Sequence, residues 1–344
     1  MSHEDSSAWV EALLLNLNGV PVRAVPALGQ SRYYRDPQGA WRPVDGDRLD
    51  DIEAVCIRLH DGLASALFGG LQNYYALLPL IPPLVQEAGL NSESTVSRDD
   101  FERMIGAMDG VPHLNRLLYL YDCRKLVSGV QECTKEVCFL VGEFYRILNL
   151  EPLFYPPIYE PDGIRYLTSP IVTNLTATLN VIYMRLHSLL DYVTKLVFEI
   201  ENLREDFARY PKLSSSALLF GQHHRTGWGG RPGTLFEVGE PMAEIELVRN
   251  HVTHDGLLDE MPKAYKVVEG GEAVEKFVLM PDRTGARFDR LKNRTLFYSR
   301  DDRINLRLPR LLADFQVRQV ATLEHALDRL AVVAARRPPF RIAD

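Results

Sequence analysis

Residues 169–203 read SPIVTNLTATLNVIYMRLHSLLDYVTKLVFEIENL, the clearest helical pattern in the chain. Ser169 can cap the first turn of a helix, and Pro170 suits its first position because proline has no N–H to leave unbonded there. From Leu175 to Leu203 the apolar residues recur in alternating steps of four and three, which is the spacing of one helix face. The pattern predicts a long helix covered along its length, either by other helices of the chain or by a second copy in a coiled coil.

Other helical patterns occur on both sides of this segment, so the expected fold class is mainly α. We expect an N-terminal helical domain of unknown role at 1–150, a Pro-rich linker at 151–170 and a helical bundle at 171–344. Residues 21–47 lack a clear period and are expected to form a loop or arm. The remaining helices are expected at 6–17, 49–68, 71–86, 97–108, 112–126, 131–148, 241–254 and 311–335. A β-hairpin is expected at 265–268 and 273–280, around the turn Glu269-Gly270-Gly271-Glu272.

The composition limits the class of protein. The 344 residues carry a net charge of −7, which argues against a general nucleic-acid coat protein. Residues 282–310 have a local positive excess that can either track phosphates or form a salt-bridged surface. Their basic residues are Arg283, Arg287, Arg290, Lys292, Arg294, Arg300, Arg303, Arg307 and Arg310.

A cytoplasmic protein with no membrane span is expected. The four cysteines (Cys56, Cys123, Cys133 and Cys138) show no zinc-site spacing and are expected to be reduced. Residues 1–7 are acidic and polar, unlike a signal peptide. The most apolar window, 63–85, is interrupted by prolines and amides, which favours a buried helical pair.

The hexapeptide Arg249-Asn250-His251-Val252-Thr253-His254 carries the candidate chemistry. On an α-helix, Asn250 and His254 lie about 40° apart and one turn apart, so the amide can orient the imidazole. Arg249 lies about 140° from His254, but its long side chain can turn toward the same phosphate. A permanent cation and a titratable imidazole suit phosphodiester cleavage without a metal. Gly256 just beyond the helix suits a left-handed C-cap.

This spacing, Arg-polar-x-x-x-His, resembles the signature of the HEPN ribonucleases (higher eukaryotes and prokaryotes nucleotide-binding family). The resemblance covers about residues 168–335. It implies a helical bundle that pairs as a homodimer, with Arg249, Asn250 and His254 of both copies in one cleft. It further implies a metal-independent endoribonuclease without a cofactor, acting on RNA as a toxin or anti-phage effector, with an antitoxin or regulatory protein as partner. One departure is Gly256, which stands where toxins silenced by a nucleotidyltransferase have tyrosine.

Two further regions are candidates for substrate contact or support. The loop 221–233 can reach over the cleft and stack a base on Trp228, or it can be a connector with a tucked tryptophan. Asp191 on the long helix is a candidate for supporting the motif from behind. The candidate substrate-binding residues are His223, His224, Arg225, Trp228 and Arg231.

Two alternatives remain open from the sequence. The bundle can be a non-catalytic HEPN-like module for dimerisation or ligand sensing. The pair His254-Asp255 also matches the dipeptide of metal-dependent HD phosphohydrolases, with His251, Asp259 and either His223 or His224 as further ligands.

Overall fold

The fold is known from a computed structural model of the whole chain. The structure describes residues 13–23, 32–44, 47–83, 85, 95–108, 113–154, 161–210, 213, 226–292, 295–337 and 340. The chain divides into two compact units. Unit 1 contains residues 1–48, 134–187 and 238–317, and unit 2 contains 49–133, 188–237 and 318–344. Each unit therefore takes segments from both sides of the expected 151–170 linker.

Helices account for most of the described residues, which confirms the mainly α class. A 3₁₀ turn at Leu78–Leu80 follows the second helix, and a π-helix at His251–Asp255 follows the sixth. The α-helices are α1 (Leu49–Phe68), α2 (Leu71–Leu77), α3 (Arg98–Gly106), α4 (Leu114–Leu150), α5 (Pro170–Glu201), α6 (Met242–Asn250) and α7 (Ile304–Ala335).

The central helix α5 confirms the prediction from residues 169–203. Ser169 caps it, since its Oγ accepts a hydrogen bond from the Val172 N–H at 3.2 Å. Every apolar residue of the predicted seam is buried within the single chain. The chain itself therefore covers the seam, and no coiled-coil partner is needed to explain it. No helix among the described segments is both long enough and apolar enough to cross a membrane.

Two other helices extend beyond their predicted limits. Segments 112–126 and 131–148 merge into α4, because Val127 and Val130 are buried and their packing overrides the weak helix propensity of Gly129. Helix α7 starts at Ile304, seven residues early, and contains Pro309. Proline cannot donate to the carbonyl four residues before it, but the Tyr145 hydroxyl donates to that Asn305 carbonyl at 2.6 Å.

The prediction was wrong for the first 48 residues, where the described part is a sheet. Leu13–Asn16 (β1) is a strand and not the end of a 6–17 helix, and residues 6–12 lie outside the described part. The expected 21–47 loop contains β2 (Val22–Arg23), β3 (Arg32–Arg35) and β4 (Trp41–Pro43). The antiparallel order is β2-β1-β3-β4.

This sheet is fixed by contacts that are distant in sequence. The Asn149 side chain bonds both the N–H and the carbonyl of Asn16, each at 3.0 Å. The Tyr33 ring stacks on Tyr145 at 4.6 Å between centroids. These partners come from α4, more than a hundred residues later in the chain. The strands are therefore held by distant contacts, and their own sequence lacks a recognisable strand pattern.

A second sheet contains the predicted hairpin. Strands β6 (Ala264–Glu269) and β7 (Glu272–Phe277) turn at Gly270-Gly271, as predicted. Strand β5 (Gly163–Leu167) pairs with β6, so the expected linker contains part of the sheet. Two short hairpins follow, formed by β8 (Arg283–Thr284) with β9 (Arg287–Phe288) and by β10 (Arg290–Leu291) with β11 (Thr295–Leu296).

Unit 2 is helical throughout its described secondary structure. Ser97 caps α3, since its Oγ accepts a hydrogen bond from the Asp100 N–H at 3.2 Å. Helix α2 stops at Leu77, short of the predicted 86, and the chain continues as the 3₁₀ turn that contains Pro79. The unit buries Glu199, whose carboxylate accepts bonds from Tyr119 and from Arg204 Nε at 3.1 Å. All four cysteines are free, as expected.

Candidate functional site

The motif lies where α6 changes into the π-helix. Ile245 and Val248 are fully buried and hold α6 in unit 1. At His251 the backbone pattern changes from the α-helical one, in which each N–H bonds the carbonyl four residues earlier, to the π-helical one, in which it bonds the carbonyl five residues earlier. The Gly256 N–H accordingly donates to the His251 carbonyl at 3.0 Å. Gly256 then leaves the turn with φ 140°, a conformation that side chains disfavour. Such π-turns are rare and occur frequently at functional sites.

The wider turn brings Arg249 and His254 together. The Arg249 Nη1 donates to Asn250 Oδ1 at 2.8 Å and lies 3.4 Å from His254 Nε2, which accepts. Five residues on an α-helix end about 140° apart, and the added residue in the π-turn reduces that separation. The expected contact between Asn250 and His254 is replaced by this one, so Asn250 acts on the imidazole only through Arg249. His254 is exposed, and Arg249 and Asn250 are half-buried.

His251 anchors the turn from inside. Its ring is buried, with the side chain 8% exposed. Nε2 lies 3.1 Å from the Leu257 carbonyl, and Nδ1 contacts the Arg290 guanidinium. The Phe288 ring meets the imidazole edge-on at 5.3 Å. Both ring nitrogens of His251 therefore contact protein groups other than His254.

Arg290 ties the turn to the β10–β11 hairpin. Its Nη2 donates to Asp255 Oδ2 at 2.8 Å while also contacting His251. The Arg290 guanidinium, with a smaller contribution from His251, holds the pKa of the Asp255 carboxyl below its ordinary value. Asp255 is thus paired with Arg290 in this structure. The described ranges contain no group of three or more His, Cys, Asp or Glu side chains placed to hold a metal ion.

A buried carboxylate fixes the other end of α6. Glu244 accepts the Tyr183 hydroxyl at 2.7 Å, and the Arg283 Nη2 lies 2.9 Å from its Oε2. Arg307 also contacts that oxygen. Burial raises the pKa of the Tyr183 hydroxyl well above its usual value, and the neighbouring Glu244 charge raises it further. The carboxylate joins α6 to α5, α7 and the β8–β9 hairpin, so the motif starts from a rigid base.

Part of the positive charge in the basic segment 282–310 is neutralised by such ion pairs. Arg283, Arg290, Arg303 and Arg307 all contact carboxylates within unit 1. This agrees with the salt-bridged interpretation for those four residues, while Arg294 lies outside the described part. Four further cations of the segment have exposed side chains, namely Arg287, Lys292, Arg300 and Arg310.

The remaining candidates lie in unit 2 or outside the described residues. Trp228 and Arg231 belong to unit 2, and the Trp228 ring is 7% exposed, packed edge-on against His325. Arg231 lies over that ring and contacts His325 Nδ1 at 3.4 Å. This packing favours the interpretation of the loop as a connector with a tucked tryptophan. Asp191 also lies in unit 2. His223, His224 and Arg225 fall outside the described residues.

Sequence reasoning missed Arg290 as part of the site. Its only signal was membership of a basic segment, and nothing in the sequence linked it to Asp255, which lies 35 residues earlier. No family model matches the chain, and comparisons with curated proteins and with solved structures found no match.

Proposed function

We propose that the chain is a metal-independent endoribonuclease of the HEPN type. The observation that carries this proposal is the contact between Arg249 Nη1 and His254 Nε2 at 3.4 Å on an exposed helix end. A guanidinium and an imidazole at this separation can act on the same phosphodiester. The fixed base of α6, formed by Glu244, supports it because catalytic groups need supporting structure that does not shift.

The chemistry follows from the two side chains. In the contact with Arg249, His254 Nε2 is the acceptor because a guanidinium can only donate, and an accepting nitrogen is what a general base requires. When the guanidinium turns to the phosphate, Nε2 is free to take the proton of the ribose 2′-hydroxyl. The 2′ oxygen then bonds to phosphorus, the bond to the 5′ oxygen breaks, and the proton is delivered to that leaving oxygen. Arg249 stabilises the charge on the phosphorane. The products are a 2′,3′-cyclic phosphate and a 5′-hydroxyl.

The wider setting is part of the same proposal. Residues 171–344 supply a HEPN-like helical bundle that pairs with a second copy, so that two motifs line one cleft in a homodimer. RNA is the substrate, in the cytoplasm, and the activity is that of a toxin or anti-phage effector held in check by an antitoxin or regulatory protein. The exposed cations Arg287, Lys292, Arg300 and Arg310 support RNA binding in a chain of net negative charge.

The test is cleavage of a labelled single-stranded RNA in excess EDTA. We expect the wild type to cut and His254→Ala to leave the RNA intact. Thr253→Ala is the matched control, since Thr253 is exposed on the same turn and has no part in the proposed chemistry. Cleavage that EDTA removes, or that His254→Ala retains, contradicts the proposal.

A non-catalytic RNA-binding module is the second candidate. It is favoured by the occupation of His254 Nε2 by Arg249, which holds back the nitrogen that proton transfer needs. The same assay separates the two functions. The module binds RNA in a filter-retention or polarisation assay, and the wild type leaves that RNA uncut at every protein concentration.

A further inference from the structure

A cavity of about 350 Å³ begins at the residue that follows His254. The turn from Asp255 to Glu260 and the buried His251 line it, together with Arg290, Thr295, Leu296 and Tyr298. The volume is at the lower end of the range for small-molecule sites, which is large enough for one ring system and too small for a folded partner.

The charges of the lining select the kind of ligand. Three carboxylates (Asp255, Asp259 and Glu260) and one guanidinium, Arg290, belong to the lining. A phosphate is repelled by such a lining, because like charges in a partly enclosed site disfavour each other. A neutral ligand that offers hydrogen-bond donors to a carboxylate is favoured. The cavity therefore suits the part of a nucleotide that is not its phosphate.

Two of the lining groups, Glu260 and Arg290, have hydrogen-bonding atoms that the described residues leave free. Asp255 is held by Arg290, and Asp259 accepts the Lys263 ammonium at 3.1 Å and the Met261 N–H at 2.9 Å. The exposed Glu260 carboxylate forms no hydrogen bond or ion pair with another described residue. Among the described residues, all contacts of the Arg290 guanidinium run through Nη2, which leaves the Nε and Nη1 donors.

We propose that this cavity binds a guanine base. Guanine carries an adjacent pair of donors, N1–H and N2–H, that a carboxylate such as Glu260 can accept together. It also carries the adjacent acceptors O6 and N7, the pair that an arginine contacts in its most common base-specific interaction. Adenine and cytosine each offer one amino group as donor, and uracil offers a single N–H. Only guanine offers two adjacent donor groups to a carboxylate while keeping the acceptor pair O6 and N7 for a guanidinium.

The apolar part of the lining suits the faces of a flat ring. The side chains of Leu258 and Leu296 and the ring of Tyr298 line the cavity, and the Tyr298 hydroxyl is held by the Leu258 carbonyl. Bases that leave a stack are commonly held between such aromatic and apolar groups. This inference deepens the proposed function, because a guanine held here places a neighbouring phosphodiester at the motif and makes the ribonuclease guanine-selective.

The direct test is nucleoside binding by calorimetry, which needs no catalysis. We expect guanosine to bind at least about tenfold more tightly than adenosine, cytidine or uridine, since one bidentate contact discriminates by about that factor or more. Inosine lacks the N2 amino group and is expected to fall between guanosine and adenosine. Glu260→Gln is expected to weaken guanosine binding by about tenfold and to leave adenosine binding unchanged. Glu269→Gln, an exposed glutamate in the β6–β7 turn, is the matched control.

The outcomes separate this inference from the proposed function. His254→Ala is expected to bind guanosine like the wild type, so selective binding without RNA cleavage supports the base site and contradicts the nuclease. RNA cleavage with no preference for guanosine supports the nuclease and overturns the base site. Equal binding of the four nucleosides, no binding, or an unchanged Glu260→Gln variant overturns it as well.

Discussion

Arg249 donates to Nε2 of His254 across 3.4 Å, although the two residues are five positions apart on one helix. An α-helix separates such positions, and the π-turn at His251–Asp255 brings them together. The arrangement makes Nε2 the acceptor in this contact and places the cation beside it. Both consequences follow from the π-turn. We therefore treat variants that change the Arg249–His254 pair separately from variants that change the turn itself.

Loss of the guanidinium acts on the pair. We expect Arg249→Ala to lower the single-turnover cleavage rate by roughly 100-fold to 1,000-fold, the usual effect of removing one group that stabilises transition-state charge. Arg249→Lys is expected to recover part of that rate, because an ammonium keeps the charge but not the planar fork. Thr253→Ala should cut at the wild-type rate. An Arg249→Ala variant that cuts as fast as the wild type removes Arg249 from the mechanism.

Loss of the Asp255 charge acts on the turn and depends on pH. Arg290 lowers the pKa of Asp255 in the folded protein, so the stabilisation is present above the ordinary value of 3.8. It is lost as the pH falls through the lower pKa of the folded state. We expect Asp255→Asn to melt below the wild type at pH 7 and the difference in Tm to shrink below about pH 4. The exposed control Asp301→Asn should show no such trend, and a pH-independent difference for Asp255→Asn contradicts the ion pair with Arg290.

The base of α6 depends on Glu244, whose side chain is 3% exposed. Replacing it with glutamine leaves Arg283 and Arg307 without their buried counter-charge. We expect Glu244→Gln to lower the free energy of unfolding by about 3–5 kcal/mol, the usual cost of removing one partner of a buried ion pair. Glu246→Gln on the exposed face of the same helix should change it by less than about 0.5 kcal/mol. Denaturant unfolding of both variants measures the difference, and equal values contradict the role of Glu244.

The Tyr145 hydroxyl satisfies the Asn305 carbonyl that Pro309 cannot serve. We expect Tyr145→Phe to lower the free energy of unfolding by about 1–3 kcal/mol, because a buried acceptor loses its donor. Pro309→Ala supplies a helical N–H for that carbonyl, so it should recover part of the loss in the Tyr145→Phe background. A double-mutant cycle measures this coupling, and strictly additive effects contradict the assignment.

Features with a local periodic signal were predictable from the sequence. The seam of α5, the Ser169 and Ser97 caps and the β6–β7 hairpin all follow from spacing and turn residues within a few positions. The strands of the first 48 residues were missed because Asn149 and Tyr145, more than a hundred residues away, complete them. The motif was found because its residues are consecutive.

Its geometry was not predictable. Hydrophobic spacing does not distinguish an α-turn from a π-turn. The sequence therefore predicted that Asn250 contacts His254, whereas Arg249 makes that contact. The Arg290–Asp255 pair joins two loops that share no pattern.

The most direct measurement is the chemistry of the RNA ends after incubation with the full chain in EDTA. The account predicts a 2′,3′-cyclic phosphate and a 5′-hydroxyl from the wild type and from Thr253→Ala, and no new ends from His254→Ala. Intact RNA with the wild type, or 3′-hydroxyl and 5′-phosphate ends, contradicts it.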